Sequence, residues 1–348
     1  IPEWEVFQDE WASHEFNRFR NKPANWGVFS PSYQDFVLYM ANEWMQRGVS
    51  LYFDNTNPKR CYNARFGPAF RGPDGALRYG ISIFAQREYY RRIYKLLSRW
   101  NDRGAPYPID FTLHITNTQT LPFNTWATAT LDLEQRSYTL DPEKFPAEVE
   151  GMKGGYRLPW PPDYTRAVTF GRQVGTIPLA LNFVSGHSRH KSNEFTPEMM
   201  LRNWAMCRIH GIRPQRLWAK PSVLAREYEK ALKEFGYGDI DRIDHHNYWA
   251  EDPFFSVSDD RIKWLALTPH TRHATPETMG LVLLQSYSRT EAVTATVKFP
   301  GATAFEDIRT GETLEATDGH AQIRLPENFG TRLFRVRRGG DSGGPQRE

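Results

Sequence analysis

The 348-residue chain has no run of eighteen apolar residues, so it carries no candidate transmembrane helix. Cysteine is nearly absent: Cys61 and Cys207 are too few for a disulfide framework or a zinc ribbon. Charge of one sign is lacking as well. Lys and Arg number 44 against 41 Asp and Glu, a formal net charge of +3, and no dense basic block marks a nucleic-acid footprint. There is no Walker loop, dinucleotide fingerprint or internal repeat. The first residues, Ile1-Pro2-Glu3-Trp4, include neither a basic n-region nor an apolar h-region. What the chain does have is aromatic side chains, 11 Trp, 16 Tyr and 22 Phe, enough for a sizeable core and for flat rings in a cleft.

From Trp26 to about Trp249, short apolar runs alternate with helical patterns, as parallel strands do when crossover helices join them. Ser32 is placed to cap a helix carrying Phe36, Val37, Met40 and Trp44, closed by Gly48. Val49 to Phe53 then reads as a buried strand ending in Asp54-Asn55. A second helix stacks Tyr89, Ile93, Leu96, Leu97 and Trp100, and the runs at 109–114, 128–134 and 177–184 read as further strands. Thr196-Pro197-Glu198 opens another helix, Ser222 caps one closed by Gly236, and 241–246 makes a last strand or its end. Five strands are clear, with weaker signals at 25–29 and 215–219. The expected architecture is an α/β (β/α)8-type barrel, either irregular or incomplete at its N-terminal side, over residues 1–253. After Phe254 the helices vanish. Alternating strands with turns at Thr310-Gly311 and Asp318-Gly319 predict an antiparallel β-sandwich over 254–338, then a disordered tail over 339–348.

Active sites of parallel barrels form at the carboxyl ends of strands, so the residues that close each apolar run are the candidates. They are Asp54-Asn55, His114 with Thr116 and Asn117, Asp132 and Glu134, the stretch before His187, and His245-His246 before Tyr248-Trp249. Asp132 and Glu134 are two apart and point to one face of a strand, where paired carboxylates push their pKa values apart. One then stays protonated as a general acid, which is glycosidase chemistry. A salt bridge at an exposed strand end, for example to Arg136, is the bland alternative. Asp54 is either a catalytic or sugar-binding carboxylate or an Asx cap on the next turn. His114, Thr116 and Asn117 suit hydroxyl or acetamido groups, and Trp126, Tyr248 and Trp249 suit a sugar face. Five histidines near strand ends (His114, His187, His190, His245, His246) raise zinc as an alternative, but adjacent histidines on a strand face opposite ways, and no metal or other cofactor is expected. Gly340-Asp341-Ser342-Gly343-Gly344-Pro345 matches the serine-protease nucleophile signature by chance, since three residues follow it and no strand holds the Ser.

Four segments together carry a resemblance: Gly48 to Thr56, Ile83-Phe84-Ala85-Gln86-Arg87-Glu88 with Arg91-Arg92-Ile93-Tyr94, Leu113 to Thr118, and Leu131-Asp132-Leu133-Glu134-Gln135. Over about residues 30 to 250 the chain resembles bacterial proteins of glycoside hydrolase family 123. The resemblance implies a barrel glycosidase with a C-terminal β domain and a further β-rich region before the barrel, so that this chain is a piece of a larger protein; a secreted or periplasmic setting is expected from the chemistry. It also implies retaining hydrolysis of N-acetylgalactosaminides, in which the substrate's acetamido group attacks, one acid protonates the leaving oxygen and an Asp orients the acetamide. The family's adjacent Asp-Glu pair is absent here, where Asp54-Asn55 and Asp132-x-Glu134 stand instead. The expectation is therefore a glycosidase on a polysaccharide or glycan with Glu134 as general acid/base and Asp54 or Asp132 as partner. A silent carbohydrate-binding or scaffold protein and a zinc-dependent hydrolase are the alternatives.

Overall fold

A computed structural model describes residues 2–17, 22–24, 28–105, 107–115, 120–132, 161–168, 175–180, 197–214, 223–239, 241–250, 253–270 and 278–338. The chain divides into two units, Ile1–Leu133 with Val168–Leu179, and Glu134–Ala167 with Ala180–Glu348. No helix among the described residues is long and apolar enough to cross a membrane.

The first unit is built on parallel strands β1 (Leu51–Phe53), β2 (Phe111–His114), β3 (Ala129–Asp132) and β4 (Ile177–Ala180), in the order β4-β3-β2-β1. β1 pairs β2, and β2 pairs β3, in parallel register. Helix α1 (Pro2–Trp11) places Trp11 against Phe7, Tyr33 and Phe36. The cap of α2 (Pro31–Met45) is Ser30 rather than the expected Ser32: the Ser30 hydroxyl accepts from the Tyr33 amide at 3.4 Å and Pro31 fills the first turn. Ser32 is used otherwise, accepting from the Trp11 indole at 2.8 Å and bonding Glu10. In α3 (Ile83–Asp102) Gln86, Tyr89, Tyr90, Ile93 and Leu97 fall on one face, the i, i+3, i+4 stripe visible in the sequence. That face closes over Phe111, Leu113 and Ile109. Each such fully buried side chain contributes about 1.5–3 kcal/mol relative to exposure. A one-turn helix, α4 (Leu121–Asn124), leads into β3.

In the second unit, α5 (Pro162–Val168), α6 (Pro197–Ile209) and α7 (Arg226–Phe235) precede the C-terminal strands. Helix α7 begins at Ala225 after a 3-10 turn and ends at Gly236, whose φ of 102° an L side chain would resist; the expected cap Ser222 lies outside the described residues. Glu229 ties α6 to α7 by accepting from the Trp204 indole at 2.7 Å and Arg208 Nε at 2.9 Å.

The strands are β5 (Ile243–Asn247), β6 (Ser256–Val257), β7 (Ile262–Pro269), β8 (Thr278–Ser286), β9 (Val293–Lys298), β10 (Ala304–Asp307), β11 (Thr313–Glu315), β12 (His320–Leu325) and β13 (Thr331–Arg337). Six form a sheet in the order β5-β7-β8-β13-β10-β11, and three form a second, β6-β9-β12. Between them lie Trp264, Val282, Leu284, Val297, Ile323 and Phe334. On its other face the six-stranded sheet buries Leu265, Leu267, Leu281, Leu283 and Leu333 against Trp204, Tyr228 and Leu232 of α6 and α7. The expected turn at Asp318-Gly319 forms with φ of 51° and 78°.

One reading of the sequence is corrected here. The run at 241–246 is no parallel barrel strand, because β5 pairs antiparallel with β7, Ile243 opposite Pro269 and Asn247 opposite Leu265. Half-buried alternation looks the same in either strand sense, and only the partner decides. A short strand lies at Arg213–Pro214, before the weak signal expected at 215–219; 215–219, 25–27, 181–184 and the tail 339–348 are outside the described residues.

Candidate active site

β1 alternates, with Leu51 buried and Tyr52 exposed, so Tyr52 and Asp54, two apart, share the open face. The strand is thus not buried on both faces as expected. On the neighbouring strand His114 closes β2, and its side chain is only 6% exposed whereas that of Asp54 is 56% exposed. His114 Nδ1 lies 2.6 Å from Asp54 Oδ1 and 3.0 Å from the Tyr52 hydroxyl, which itself reaches Oδ1 at 3.2 Å. With Asp54 ionised, Nδ1 carries its proton, and both Nδ1–H and the Tyr52 O–H donate to one carboxylate oxygen. The other oxygen accepts from the Asn55 side-chain amide at 2.7 Å. Asn55 reaches it from a left-handed backbone, φ 52°, a conformation asparagine tolerates better than most residues.

Partial burial on its own would raise the Asp54 pKa. The hydrogen bond and charge of His114, then the Tyr52 hydroxyl and the Asn55 amide, outweigh it and hold the carboxyl below its ordinary value. Asp54 is therefore charged at neutral pH, positioned from three sides and open to solvent. The backbone that carries the imidazole is anchored in turn, since the Thr56 amide and hydroxyl both donate to the His114 main-chain carbonyl, at 2.9 and 2.8 Å.

Of the other expected site residues, Asp132 ends β3 by its backbone, one strand beyond His114 in the sheet order. Thr116, Asn117, Glu134 and His187 lie outside the described residues. Trp126 is not at a carboxyl end. It precedes β3, its ring 5.8 Å from that of Tyr94 on α3, packed against the core.

His245, His246, Tyr248 and Trp249 belong to the second unit, on or just after β5. His245 packs its ring 5.5 Å from Tyr237, while His246 packs 5.0 Å from Phe254 and bonds Thr268 Oγ1 at 2.8 Å. The two face opposite sides of the sheet. Burial lowers the His246 pKa, partly offset by Asp244. Trp249 stacks on His210 at 5.6 Å with the Arg166 guanidinium 5.0 Å from its ring centroid. His210 donates from Nδ1 to the Met206 carbonyl at 2.8 Å and accepts at Nε2 from the Tyr248 hydroxyl at 3.1 Å. Burial pushes its pKa down to about 4, so the imidazole stays neutral, and burial raises that of Tyr248.

Tyr52 had a readable signal, its two-residue offset from Asp54. His210 and Arg166 had none, since His210 follows the end of α6, Arg166 sits on α5, and both meet Trp249 only through the tertiary fold. Among the described residues no three His, Cys, Asp or Glu side chains converge as a metal-binding group.

No protein-family model and no curated protein matches the sequence. Solved structures do match in fold. An α-amylase from Anoxybacillus aligns over 97% of this chain and 73% of its own, at 8% identity and a TM-score of 0.54. A GH27 β-L-arabinopyranosidase from Geobacillus stearothermophilus, in complex with arabinose, aligns over 96% and 68%, at 12% identity and 0.55. A maltogenic α-amylase from Thermotoga neapolitana aligns over 96% and 74%, at 11% identity and 0.51. At such identities the likeness is one of fold: these proteins pair a parallel α/β barrel with a C-terminal sheet domain, and this chain pairs a parallel α/β sheet with an antiparallel one.

Proposed function

We propose that the protein is a glycoside hydrolase acting on a polysaccharide or glycan by carboxylate acid/base catalysis, on a (β/α)8-type barrel whose remaining strands are supplied irregularly or by a preceding β-rich region. The observation that carries this is the Asp54 carboxylate at the carboxyl end of β1, ionised, solvent-open and held by His114, Tyr52 and Asn55. A carboxylate kept charged suits the nucleophile or charge-stabilising role, which leaves proton donation to a second acid with a raised pKa. Glu134 is that acid in this reading. The fold neighbours support the assignment by their own activities, two of them as amylases and one as an arabinopyranosidase. The family 123 resemblance adds a finer possibility, in which Asp132 orients a 2-acetamido group and the substrate supplies its own nucleophile. A secreted or periplasmic setting goes with a polymeric sugar substrate.

The test is a screen of the protein on aryl glycosides and polysaccharides with analysis of released sugars, alongside Asp54→Asn and Glu134→Gln. Loss of either carboxyl should cost on the order of two to four decades in kcat. Near wild-type turnover by Glu134→Gln on a natural substrate removes Glu134 from the role. A requirement for 2-acetamido sugars with inhibition by a thiazoline mimic would select Asp132 over Asp54.

A second reading, carbohydrate binding without turnover, is favoured by one observation: Asp54 Oδ1 already receives two donors within its own unit. Binding of sugars with no hydrolysis across the screen would select it.

A further inference from the structure

Between β1 and α3 the chain makes a 28-residue excursion, 55–82, that starts at the residue after Asp54. Two short antiparallel ribbons build it, Arg60–Cys61 with Gly80–Ile81 and Phe70–Arg71 with Leu77–Arg78. It is a fixed structure. Asn63 donates to the Asp9 and Ala12 carbonyls at 2.8 and 3.0 Å and accepts from the amides of Arg65 and Phe66 at 3.1 and 2.9 Å. A Cβ on Gly80 would come within 2.1 Å of the Pro68 carbonyl, and one on Gly67 within 2.5 Å of the buried Cys61 sulfur, so the two strands of the excursion touch where only glycine allows. At its root Gln86 of α3 donates to the Thr56 carbonyl at 2.8 Å, and Thr56 is the residue that holds His114.

Its outer surface is aromatic and basic together. Phe70 is 55% exposed and Tyr79 44%, and Phe66 and Ile81 are exposed beside them. Tyr62 and Tyr79 lie 5.7 Å apart, with the Arg60 guanidinium 5.4 Å from the Tyr79 ring centroid and that of Arg65 5.0 Å from the Phe66 centroid. The excursion carries Lys59, Arg60, Arg65, Arg71 and Arg78 against Asp74 as its one acid, and Asp74 is taken by Arg78. Arg60, Arg65 and Arg71 have no carboxylate partner among the described residues. Rings give sugars a flat apolar face to stack on, and guanidiniums bind carboxylate or sulfate bidentately.

We propose that this excursion is a binding platform for an anionic polysaccharide, seating several sugar residues of a chain whose scissile bond lies at Asp54. The proposal rests on the glycosidase reading for the last clause only. The platform explains why Phe66, Phe70, Tyr79 and Ile81 stay exposed among guanidiniums: its partner is amphipathic, with apolar ring faces and acidic substituents. Pre-organisation by Asn63 and the two glycines keeps the ordering cost of binding low.

The test uses the full chain in affinity electrophoresis and calorimetry, with dextran against dextran sulfate to isolate sulfate, and starch against polygalacturonate to isolate carboxylate. Retention by one or both charged polymers, and by neither neutral one, is the expected result, and which charged polymer retains it identifies the anion. The double substitution Arg60→Gln, Arg65→Gln should weaken binding about tenfold or more. Tyr79→Ala, which leaves the charge unchanged, should weaken it as well. The charge-matched control Lys230→Gln, Lys233→Gln on α7 should not. Equal weakening by that control, equal retention by neutral polymers, displacement by single-stranded DNA as effective as by the polysaccharide, or self-association lost on Tyr79→Ala would each overturn the platform. Asp54→Asn separates this from the catalytic reading: it should abolish turnover while binding persists, and if wild-type protein binds without ever hydrolysing, the catalytic reading falls and the platform stands.

Discussion

Asp54 and His114 depend on each other, and the sign of that dependence can be measured. Removing the imidazole in His114→Ala deletes the hydrogen bond and charge that hold the Asp54 carboxyl down while leaving its partial burial, so the Asp54 pKa should rise. Carboxyl-carbon NMR titration reads this directly, and the acidic limb of the pH–rate profile should move to higher pH with it. An unchanged Asp54 titration would show that the contact does not carry the shift. His210 offers the opposite case. Its folded pKa, about 4, lies below the ordinary histidine value, so the unfolded chain binds the extra proton first. The stability it preserves is complete above about pH 6.5 and is lost as pH falls towards 4, by at most about 3 kcal/mol. Urea unfolding at pH 7 and pH 5 should show that loss in the wild type and less of it in His210→Gln. Asp54 and His114 were visible in the sequence because each ends an apolar run. His210 was not, because its meaning comes from Tyr248 and Trp249, some forty residues away, and no spacing rule links a helix end to the residues after an antiparallel strand.

Among the elements, α3 was the easiest to read, since its buried stripe recurs every three or four residues and needs no partner to be seen. Strand β5 was the hardest. Its sequence, Ile243-Asp244-His245-His246-Asn247, ends in polar residues as a barrel strand would, but its pairing with β7 makes it the edge of the antiparallel sheet. The turn after β10 depends on one side chain. Asp307 is 1% exposed, accepts from the Arg309 and Thr310 amides at 2.9 Å each, and takes the Arg332 guanidinium Nε at 2.6 Å from β13. Burial would raise its pKa, yet these donors bring it below the usual carboxylate range. Asp307→Ala leaves Arg332 without its buried partner and two amides without an acceptor, and should cost about 3 kcal/mol or more in denaturant unfolding. A loss under about 1 kcal/mol would mean that Glu312, Arg332's other carboxylate, supports the strand alone.

At the scale of the molecule, the change from alternating helix and strand to strand alone was plain in the sequence, but it does not coincide with where the chain separates. The six-stranded sheet is covered on one side by the three-stranded sheet and on the other by α6 and α7, and the second unit accordingly takes in residues well before 254. The sequence shows which residues alternate and stays silent on whether the outward row meets water or a helix. Residues 254–338 expressed alone should therefore expose Leu265, Leu267, Leu281, Leu283 and Leu333 and aggregate, whereas 197–338 should give a cooperative melt; size-exclusion chromatography and near-ultraviolet circular dichroism distinguish the two. A monomeric, well-packed 254–338 would show that α6 and α7 are dispensable cover.

The same double covering bears on how the protein breathes. β8 is flanked by β7 and β13, and its residues from Gly280 to Ser286 are buried in an unbroken run. Its amide protons are shut from water by a strand on each edge and a layer on each face, so no local fraying reaches them. They should be the last in this unit to exchange with deuterium, at a rate set by its global unfolding, and so report its stability without denaturant.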